Sequence, residues 1–554
     1  MTTVTVQQAF ELALAHHRAG RLREAEAVYR QILAQSPEQP ETLYFLGLIA
    51  RQTNRPAEAA ALWRRATVAR PDQVEWLFQL AWALLDSNEP YQAISVARQA
   101  TQRQPDFADA HAILGRALAA VRKFDEAVGS ARRAVELARD NPEMRNHLGL
   151  VLKSANELRE AEAEFLQAIE LNPRNPHYHR NLAAARDALD DVDGSIAAAE
   201  ECRRLGGEDV QLLSNLAALH RRRRAYTAAL AMADRALALQ PNHPESHGSR
   251  AIALLAMGDY AQGFVEYEWR WRCDNFTTRT RDFGRPMWDG SDPRGRRIFV
   301  HTEQGYGDTL QFERYVALLA ARGAEVILET HPSLRTLLRR VAGVSKVVPS
   351  GMNPPDFDLH TPLLSMPKWF RTTLENLPNQ VPYVTPDPAR VQVWKDRIDA
   401  PATNAMNVGL VWSGNVQPDP NRTCRLANLV PLAHVADTRF FSLQIGEASR
   451  EIATVAGQMS ITDLSKDLTD FHETAAAMQC LDLILTIDTA AAHLAGALGR
   501  PVWTLLPWAA DWRWLSDRED SPWYPTMRLF RQSTKGDWAE PVERVRRQLS
   551  AFHS

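Results

Sequence analysis

Small and apolar residues recur through the first half of the chain at one fixed step. Leucine stands at Leu46, Leu80, Leu114, Leu148, Leu182 and Leu216, each 34 residues after the last. A small residue keeps the same phase at Ala25, Ala59, Ala93, Ala127, Ala161 and Ala229, with Ser195 in the remaining slot, and a proline series runs through Pro37, Pro71, Pro105, Pro173 and Pro241. Gly47, Gly115 and Gly149 directly follow their leucines. The pattern predicts two antiparallel helices per unit. Small residues let the helices approach, leucines fill the shared core, and proline ends the second helix because it cannot continue the hydrogen-bond ladder. One unit cannot bury its own apolar face, so units stack into a superhelix with a concave groove.

From Arg297 the period changes. Strands are predicted at Ile298–His301, Ala324–Glu329, Lys346–Val348, Asn407–Trp412, Phe440–Gln444, Leu483–Ile487, Val502–Leu506 and Met527–Phe530. Helices are predicted between them at Asp308–Arg322, Pro332–Val341 and Val391–Ile398. This alternation is the rhythm of parallel sheets, whose ligands bind beyond the carboxyl ends of the strands.

The 34-residue series, agreeing in phase, resemble those of tetratricopeptide repeat proteins over residues 6–272, with seven repeats and a divergent eighth around Gly248–Trp271. The residue before each framework leucine is expected to face the groove: Phe45, Gln79, Ile113, His147, Asn181 and Asn215. Of these, Gln79, His147, Asn181 and Asn215 are the candidate peptide-groove residues, with ordinary helix-surface polarity as the alternative. Glu41, Glu75, Asp109 and Glu143 also repeat at 34 and suit helix starts, where they offset the dipole; an acidic groove rim is the alternative. The aromatic stretch Tyr260–Trp271 is expected to end the array and pack on the next domain, and residues 273–296 to form a linker.

Composition narrows the classes. The 554 residues are 45% hydrophobic and 24% charged, which suits several globular domains. Four widely spaced cysteines, Cys202, Cys273, Cys424 and Cys480, form neither a zinc motif nor a disulfide framework, so a reducing, cytoplasmic compartment is expected. The start Met1–Val4 lacks the basic and apolar regions of a signal peptide, and no apolar run spans a bilayer. A net charge of −3 argues against nucleic acid as the main partner. The run Arg221–Arg224 reads as a solvated helix end, with a phosphate or partner patch as the alternative.

Four motifs carry candidate chemistry. Glu303-Gln304-Gly305-Tyr306-Gly307-Asp308 joins a strand to a helix, and its glycines are expected to let the backbone turn tightly. Val411-Trp412-Ser413-Gly414-Asn415 ends a strand in a glycine turn, with Arg422 and Arg425 shortly after it. Ile487-Asp488-Thr489-Ala490-Ala491-Ala492-His493 runs a strand directly into an alanine-rich helix that ends at Gly499-Arg500-Pro501, so free amides meet whatever lies at the helix start. Leu506-Pro507-Trp508, with the tryptophans beyond it, forms the last motif.

These motifs resemble those of heptosyltransferase-like enzymes, and the whole chain resembles bacterial repeat-linked glycosyltransferases, which are distantly related to protein O-linked N-acetylglucosamine transferases. The resemblance implies a GT-B fold of two Rossmann-like domains facing across a cleft, with residues 297–390 on the acceptor side and 391–554 on the donor side. It implies an inverting, metal-independent transfer from a nucleotide sugar, with no cofactor. Asp308 is then the general base, and a helix cap is the alternative. Gly305 and Gly307 line the donor side. Arg425, and after it Arg422, would meet the diphosphate. Asp488 goes to the donor sugar or phosphate edge, Thr489 and Ala490 to phosphate, and His493 to an ordering role; Pro507 and Trp508 would hold the base. A protein serine or threonine bound along the repeats, of the flagellin type, is the expected acceptor. A lipid or polysaccharide acceptor, with the repeats docking a partner, and a non-catalytic repeat scaffold are the two alternatives.

Overall fold

The computed structural model describes residues 5–399, 404–415 and 420–552. Residues 1–4, where a signal peptide would begin, lie outside the described residues. The chain divides into two compact units, residues 1–212 and 213–554.

The first unit is a series of helical hairpins. They are Val6–Arg18 with Leu22–Gln35, Pro40–Gln52 with Pro56–Ala69, Val74–Asp86 with Pro90–Arg103, Ala108–Ala120 with Phe124–Leu137, Pro142–Ser154 with Leu158–Leu171, and Pro176–Ala188 with Val192–Arg204. Their interfaces are built as the periodicity predicts. Ala25, Ala59, Ala93, Ala127 and Ala161 are fully buried, and the framework leucines are buried with them. The turn inside each hairpin has a left-handed residue, and these too recur every 34: Gly20, Asn54, Asn88, Arg122, Asn156 and Asp190. Asparagine, aspartate and glycine tolerate this conformation best.

The second unit takes in Val210–Arg222 from residue 213 onward, paired with Tyr226–Leu239, and the hairpin Pro244–Met257 with Tyr260–Glu266; the turns carry the same left-handed residue at Arg224 and Gly258. A 3-10 segment, Tyr267–Arg272, ends them. The aromatic stretch packs as expected. Tyr260 and Phe264 are buried against Trp512, and the Trp523 Nε1–H donates to the Tyr260 hydroxyl at 3.0 Å. Segment 273–296 is not a free linker: Trp288 is fully buried and its backbone N–H donates to the His360 carbonyl at 2.7 Å.

Two parallel sheets complete the unit. The first contains β1 (Arg297–His301), β2 (Glu325–Thr330), β3 (Val344–Pro349) and β4 (Leu359–Pro362), in the order β3-β2-β1-β4. The second contains β5 (Met406–Val411), β6 (Thr438–Ser442), β7 (Ile461–Asp463), β8 (Leu483–Ile487), β9 (Val502–Leu506) and β10 (Met527–Arg531), in the order β10-β9-β8-β5-β6-β7. Both faces of the second sheet are covered. Val408, Leu410 and Trp412 enter one apolar cluster with Leu426 and Leu429, while Val411 and Ile484 enter another. That is why these strands read as continuous apolar runs. Strand order reverses between β5 and β8, so the loops after those two strands diverge around a crevice, the usual ligand position in open parallel sheets.

Several features differ from the sequence reading, among them the helices Phe471–Gln479 and Ala539–Phe552, which it did not name. β4 and β7 were not predicted; they have four and three residues, too few to show a period. The helix expected over Asp308–Arg322 is broken into Tyr306–Phe312 and Arg314–Ala321. The helix expected over Pro332–Val341 shortens to a 3-10 turn, Pro332–Leu334, and one helical turn, Arg335–Leu338.

Candidate functional site

The start of helix Ala490–Ala497 lies at the centre of the site. Thr489 caps it, its hydroxyl accepting from the Ala491 N–H at 3.3 Å. The loop after β5 comes directly alongside. A Cβ on Gly414 would lie 2.9 Å from the Thr489 methyl and 3.4 Å from Arg422 Nε, so only glycine lets this loop approach so closely. Arg422 donates from Nε and Nη2 to the Asn415 carbonyl at 3.2 and 2.7 Å. Burial first, then the neighbouring Asp511 carboxylate, raise the Asp488 carboxyl, and with Arg422 among the groups that lower it the net rise is to about 6. Arg425 instead begins the 3-10 segment Leu426–His434 with an exposed side chain. Arg422, not Arg425, is therefore the arginine brought to the helix start.

A cavity of about 780 Å³ opens beside this point, at the ends of β5 and β6, lined by Ser413, Gly414, Asn415, Gln444, Arg450 and Thr454 among others. Gln444 fixes its floor by accepting at one oxygen from the Trp412 and Ser413 N–H groups, at 3.1 and 2.8 Å. Sequence reasoning missed this wall. Its one local signal is the strand-to-turn step Leu443-Gln444-Ile445-Gly446, where Gly446 has φ 77°.

Packed against this helix start is Tyr306–Phe312, whose third residue is Asp308. Its Oδ2 accepts from the Gly305 N–H at 2.9 Å, closing a helix cap, and its Oδ1 accepts from Arg513 Nη2 at 2.5 Å. The Gly305 N–H is thus taken by Asp308. The tight turn belongs to Gln304, at φ 59°, and not to the glycines. Gly307 serves close approach instead. A Cβ there would lie 2.9 Å from His493 Cδ2 and 3.6 Å from Ala490 Cα, so the starts of the two helices pack against each other. His493 is buried, bonds through Nδ1 to the Tyr524 hydroxyl at 2.9 Å and stacks on Trp514. Burial first, then Arg513 and Arg314, drive its proton affinity far below the usual range, so it stays neutral and orders the packing. Glu303, in the same loop as Asp308, is buried and committed: it accepts from Arg270 Nε and Nη2 at 2.8 Å each and from the Leu364 N–H at 3.0 Å.

Arg513 is the residue that the sequence reading passed over. It is buried, and besides Asp308 it donates from Nη1 to Asp511 at 2.8 Å and from Nε to the Gln311 side-chain oxygen at 2.7 Å. It therefore ties Asp308 to Asp511, whose charge in turn reaches Asp488. The loop that carries it is strained, with Leu515 at φ 50° and ψ −179°. Strain of this kind persists only where neighbours over-determine the backbone. Here Arg531 Nη2 donates to the Leu515 and Trp514 carbonyls at 2.7 and 3.2 Å, and Arg224 Nη2 donates to the Ser516 carbonyl.

Arg224 also corrects the reading of Arg221–Arg224 as a solvated helix end. Its guanidinium lies over the Trp508 ring at 4.8 Å and pairs with Asp517 at 3.3 Å. Trp508 is half-buried beneath it, with its backbone N–H on the Gln532 side-chain oxygen at 3.1 Å, and Pro507 is buried. In the first unit, the Gln79 side-chain oxygen Oε1 accepts from Arg51 Nη1 at 2.8 Å, and Asn181 Nδ2 donates to Asn146 Oδ1 at 2.7 Å. These amides bond between neighbouring hairpins. His147 is half-buried on the same series of first helices, and Asn215, in the second unit, is exposed on Val210–Arg222.

Comparison with known proteins bears on the helical part. Residues 10–74, 78–142 and 146–210 match one family described as tetratricopeptide repeat, and residues 210–245 match a second with the same description. The amino-terminal part is a tetratricopeptide repeat solenoid. Over 401 residues the chain is 28% identical to protein FlbA of Caulobacter vibrioides, a match covering 66% of this chain and 65% of that protein. The chain thus spans less than two thirds of that relative's length. Among solved structures it is similar to the APC/C hetero-tetramer Cut9-Hcn1, at 19% identity over 44% of this chain and 48% of that one, with a TM-score of 0.38. It is also similar to a tetratricopeptide repeat protein from Parabacteroides merdae, at 15% identity over 45% and 98% of the two chains, with a TM-score of 0.39. A third similarity is to TTC0263, a tetratricopeptide repeat protein of Thermus thermophilus, at 24% identity over 33% and 98%, with a TM-score of 0.29. The repeats suit interaction with protein partners. Among the described residues no helix is long and apolar enough to cross a membrane.

Proposed function

We propose that this chain is a glycosyltransferase of the GT-B kind, which moves a sugar from a nucleotide-sugar donor to a hydroxyl group, the acceptor being a protein serine or threonine held by the repeat array. One observation carries the reading. A capped helix start, a glycine loop and Arg422 converge where the strand order of a parallel sheet reverses, and the helix packed against that start carries a carboxylate, Asp308. The helix amides and Arg422 suit a diphosphate leaving group, whose charge grows as the glycosidic bond breaks. The cavity beside Gln444 is of the size that holds a small-molecule ligand, roughly 300–1,000 Å³, and would take the nucleoside. Asp308 uses one lone pair of each oxygen, on Gly305 and Arg513, and keeps the others to accept a hydroxyl proton. Arg513 holds the carboxylate in place, and neutral His493 fixes the two helix starts against each other.

Calorimetric titration of the full chain with uridine, guanosine, adenosine and cytidine diphosphates tests the reading. One of them is expected to bind at micromolar concentration and to be displaced by its nucleotide sugar. If none binds, the transferase reading fails and the repeat scaffold stands in its place.

A further inference from the structure

In the first unit, the first helices of four successive hairpins bring one cationic cluster together. Arg51, on Pro40–Gln52, lies over the Trp82 ring at 5.1 Å, and Arg116, on Ala108–Ala120, lies over the same ring at 4.7 Å. Trp82 itself belongs to Val74–Asp86, and His147, on Pro142–Ser154, meets its indole edge-on at 5.6 Å. Two guanidinium groups therefore share one aromatic ring. The polar partner given to Arg51 is neutral, the Gln79 side-chain oxygen at 2.8 Å.

Among the described residues no carboxylate is ion-paired with Arg51 or Arg116. Asp86, exposed on the same helix as Trp82, attracts Arg116 only from beyond ion-pair distance. The contrast within the array is sharp: Arg30, Arg55, Arg98, Arg132, Arg145 and Arg186 each pair with a glutamate. Arg116 is half-buried, and burial lowers its proton affinity. His147 is held neutral, its pKa lowered to about 4 by burial and then by Arg116, and its Nδ1 has no hydrogen-bond partner. Two like charges beside an unpartnered ring nitrogen repel one another, and an anion entering between them removes that cost.

We propose that Arg51, Trp82, Arg116 and His147 form a receptor for the carboxylate side chains of an acidic polypeptide segment lying along the first helices of the array. Planar guanidinium forks match a carboxylate with two hydrogen bonds. The surroundings favour isolated carboxylates over a phosphate chain. Glu75 and Asp109 stand two turns before Trp82 and Arg116 on the same helices, and Glu143 one turn before His147, so a continuous polyanion would run into them. The proposal rests on the repeats holding a polypeptide and not on the transferase reading, because its test contains no nucleotide sugar.

The test is fluorescence anisotropy on the full chain with two serine- and threonine-rich peptides, one carrying aspartates and the other asparagines at the same positions. The aspartate peptide is expected to bind about tenfold or more tightly, the scale of charge-assisted hydrogen bonds. That margin should shrink as salt is raised. Arg116→Gln should remove most of the margin and Arg116→Lys should keep part of it. Arg98→Gln, whose parent residue pairs with Glu126, should leave it intact. Arg51→Gln provides a second variant should Arg116→Gln unfold. Equal binding of the two peptides overturns the proposal, as does a margin that survives in both glutamine variants. A single-stranded oligonucleotide that binds more tightly than the aspartate peptide and displaces it makes the cluster a nucleic-acid contact and equally overturns it.

Discussion

Asp308→Asn separates the two roles that the structure gives to one side chain. The cap needs only an oxygen acceptor for the Gly305 N–H at 2.9 Å, which asparagine supplies. The bond from Arg513 at 2.5 Å needs the charge, which asparagine lacks. The two side chains are 18% and 9% exposed, so water screens the pair little. Arg513 keeps Asp511 at 2.8 Å and Gln311 at 2.7 Å, so the variant does not strand a buried cation. The loss is then one charge-assisted hydrogen bond, about 1.5–3 kcal/mol, rather than the roughly 3–5 kcal/mol of a broken buried pair. Asp308→Ala should cost about 0.5–2 kcal/mol more, because it also removes the cap. If Asp308 is the base, transfer should fall by about 10²–10⁴ in Asp308→Asn, with nucleoside diphosphate affinity within about twofold of the parent. The assay measures melting temperature, diphosphate affinity and transfer to a serine- or threonine-containing acceptor, well below the melting point. A lowered melting temperature with near-parental transfer would refute the base assignment and leave Asp308 as a strut. Glu303 would not replace it, because its side chain is fully buried and ion-paired with Arg270, whereas that of Asp308 is 18% exposed.

Neighbouring contacts carry further expectations. Arg422→Ala should weaken diphosphate binding by about 1.5–3 kcal/mol, whereas Arg425→Ala, at an exposed position, should leave calorimetric affinity nearly unchanged; the opposite ranking would return Arg425 to the site. Asp488 has its pKa raised from 3.8 to about 6, chiefly by burial and then by Asp511. The folded state therefore binds more protons than the unfolded one between these values, and stability falls as pH rises through that window. Asp488→Asn should melt higher than the parent at pH 7, by at most about 3 kcal/mol in stability, and the difference should vanish near pH 4; a variant less stable at both pH values would contradict the shift. Gly149→Ala would set a Cβ 2.6 to 2.9 Å from the ring of Phe165, which is fully buried, and should cost about 1–3 kcal/mol by overpacking. An unchanged denaturant midpoint would show that the hairpin yields without cost.

How much of this was legible in the sequence depends on whether a feature repeats. The helical hairpins were legible because Leu46 to Leu216 and Ala25 to Ala229 mark one interface again and again, and each repeat confirms the phase of the last. The left-handed turn series from Gly20 to Gly258 shares that period, but Arg122 and Arg224 interrupt its glycine, asparagine and aspartate run and hide it. β8 and β9 were read with their full bounds because both faces are buried and each run is apolar but for one threonine, whereas β4, with its buried His360 and Thr361, shows no such run. The Asp308–Arg513 pair joins positions 205 residues apart, and nothing local marks either end as the partner of the other. The choice between Arg422 and Arg425 turned on which arginine the loop aims at Gly414 and Thr489, a matter of backbone path that three residues of spacing cannot decide. The groove cluster lies between these cases. Trp82 and Arg116 are 34 residues apart and so occupy one phase of the repeat, and Arg51 lies one turn farther along its own first helix. Their meeting was therefore implicit in the period. What the period leaves out is charge: it shows which side chains share a face, but only the packed structure shows that two of them share one indole with no carboxylate among the described residues ion-paired to either.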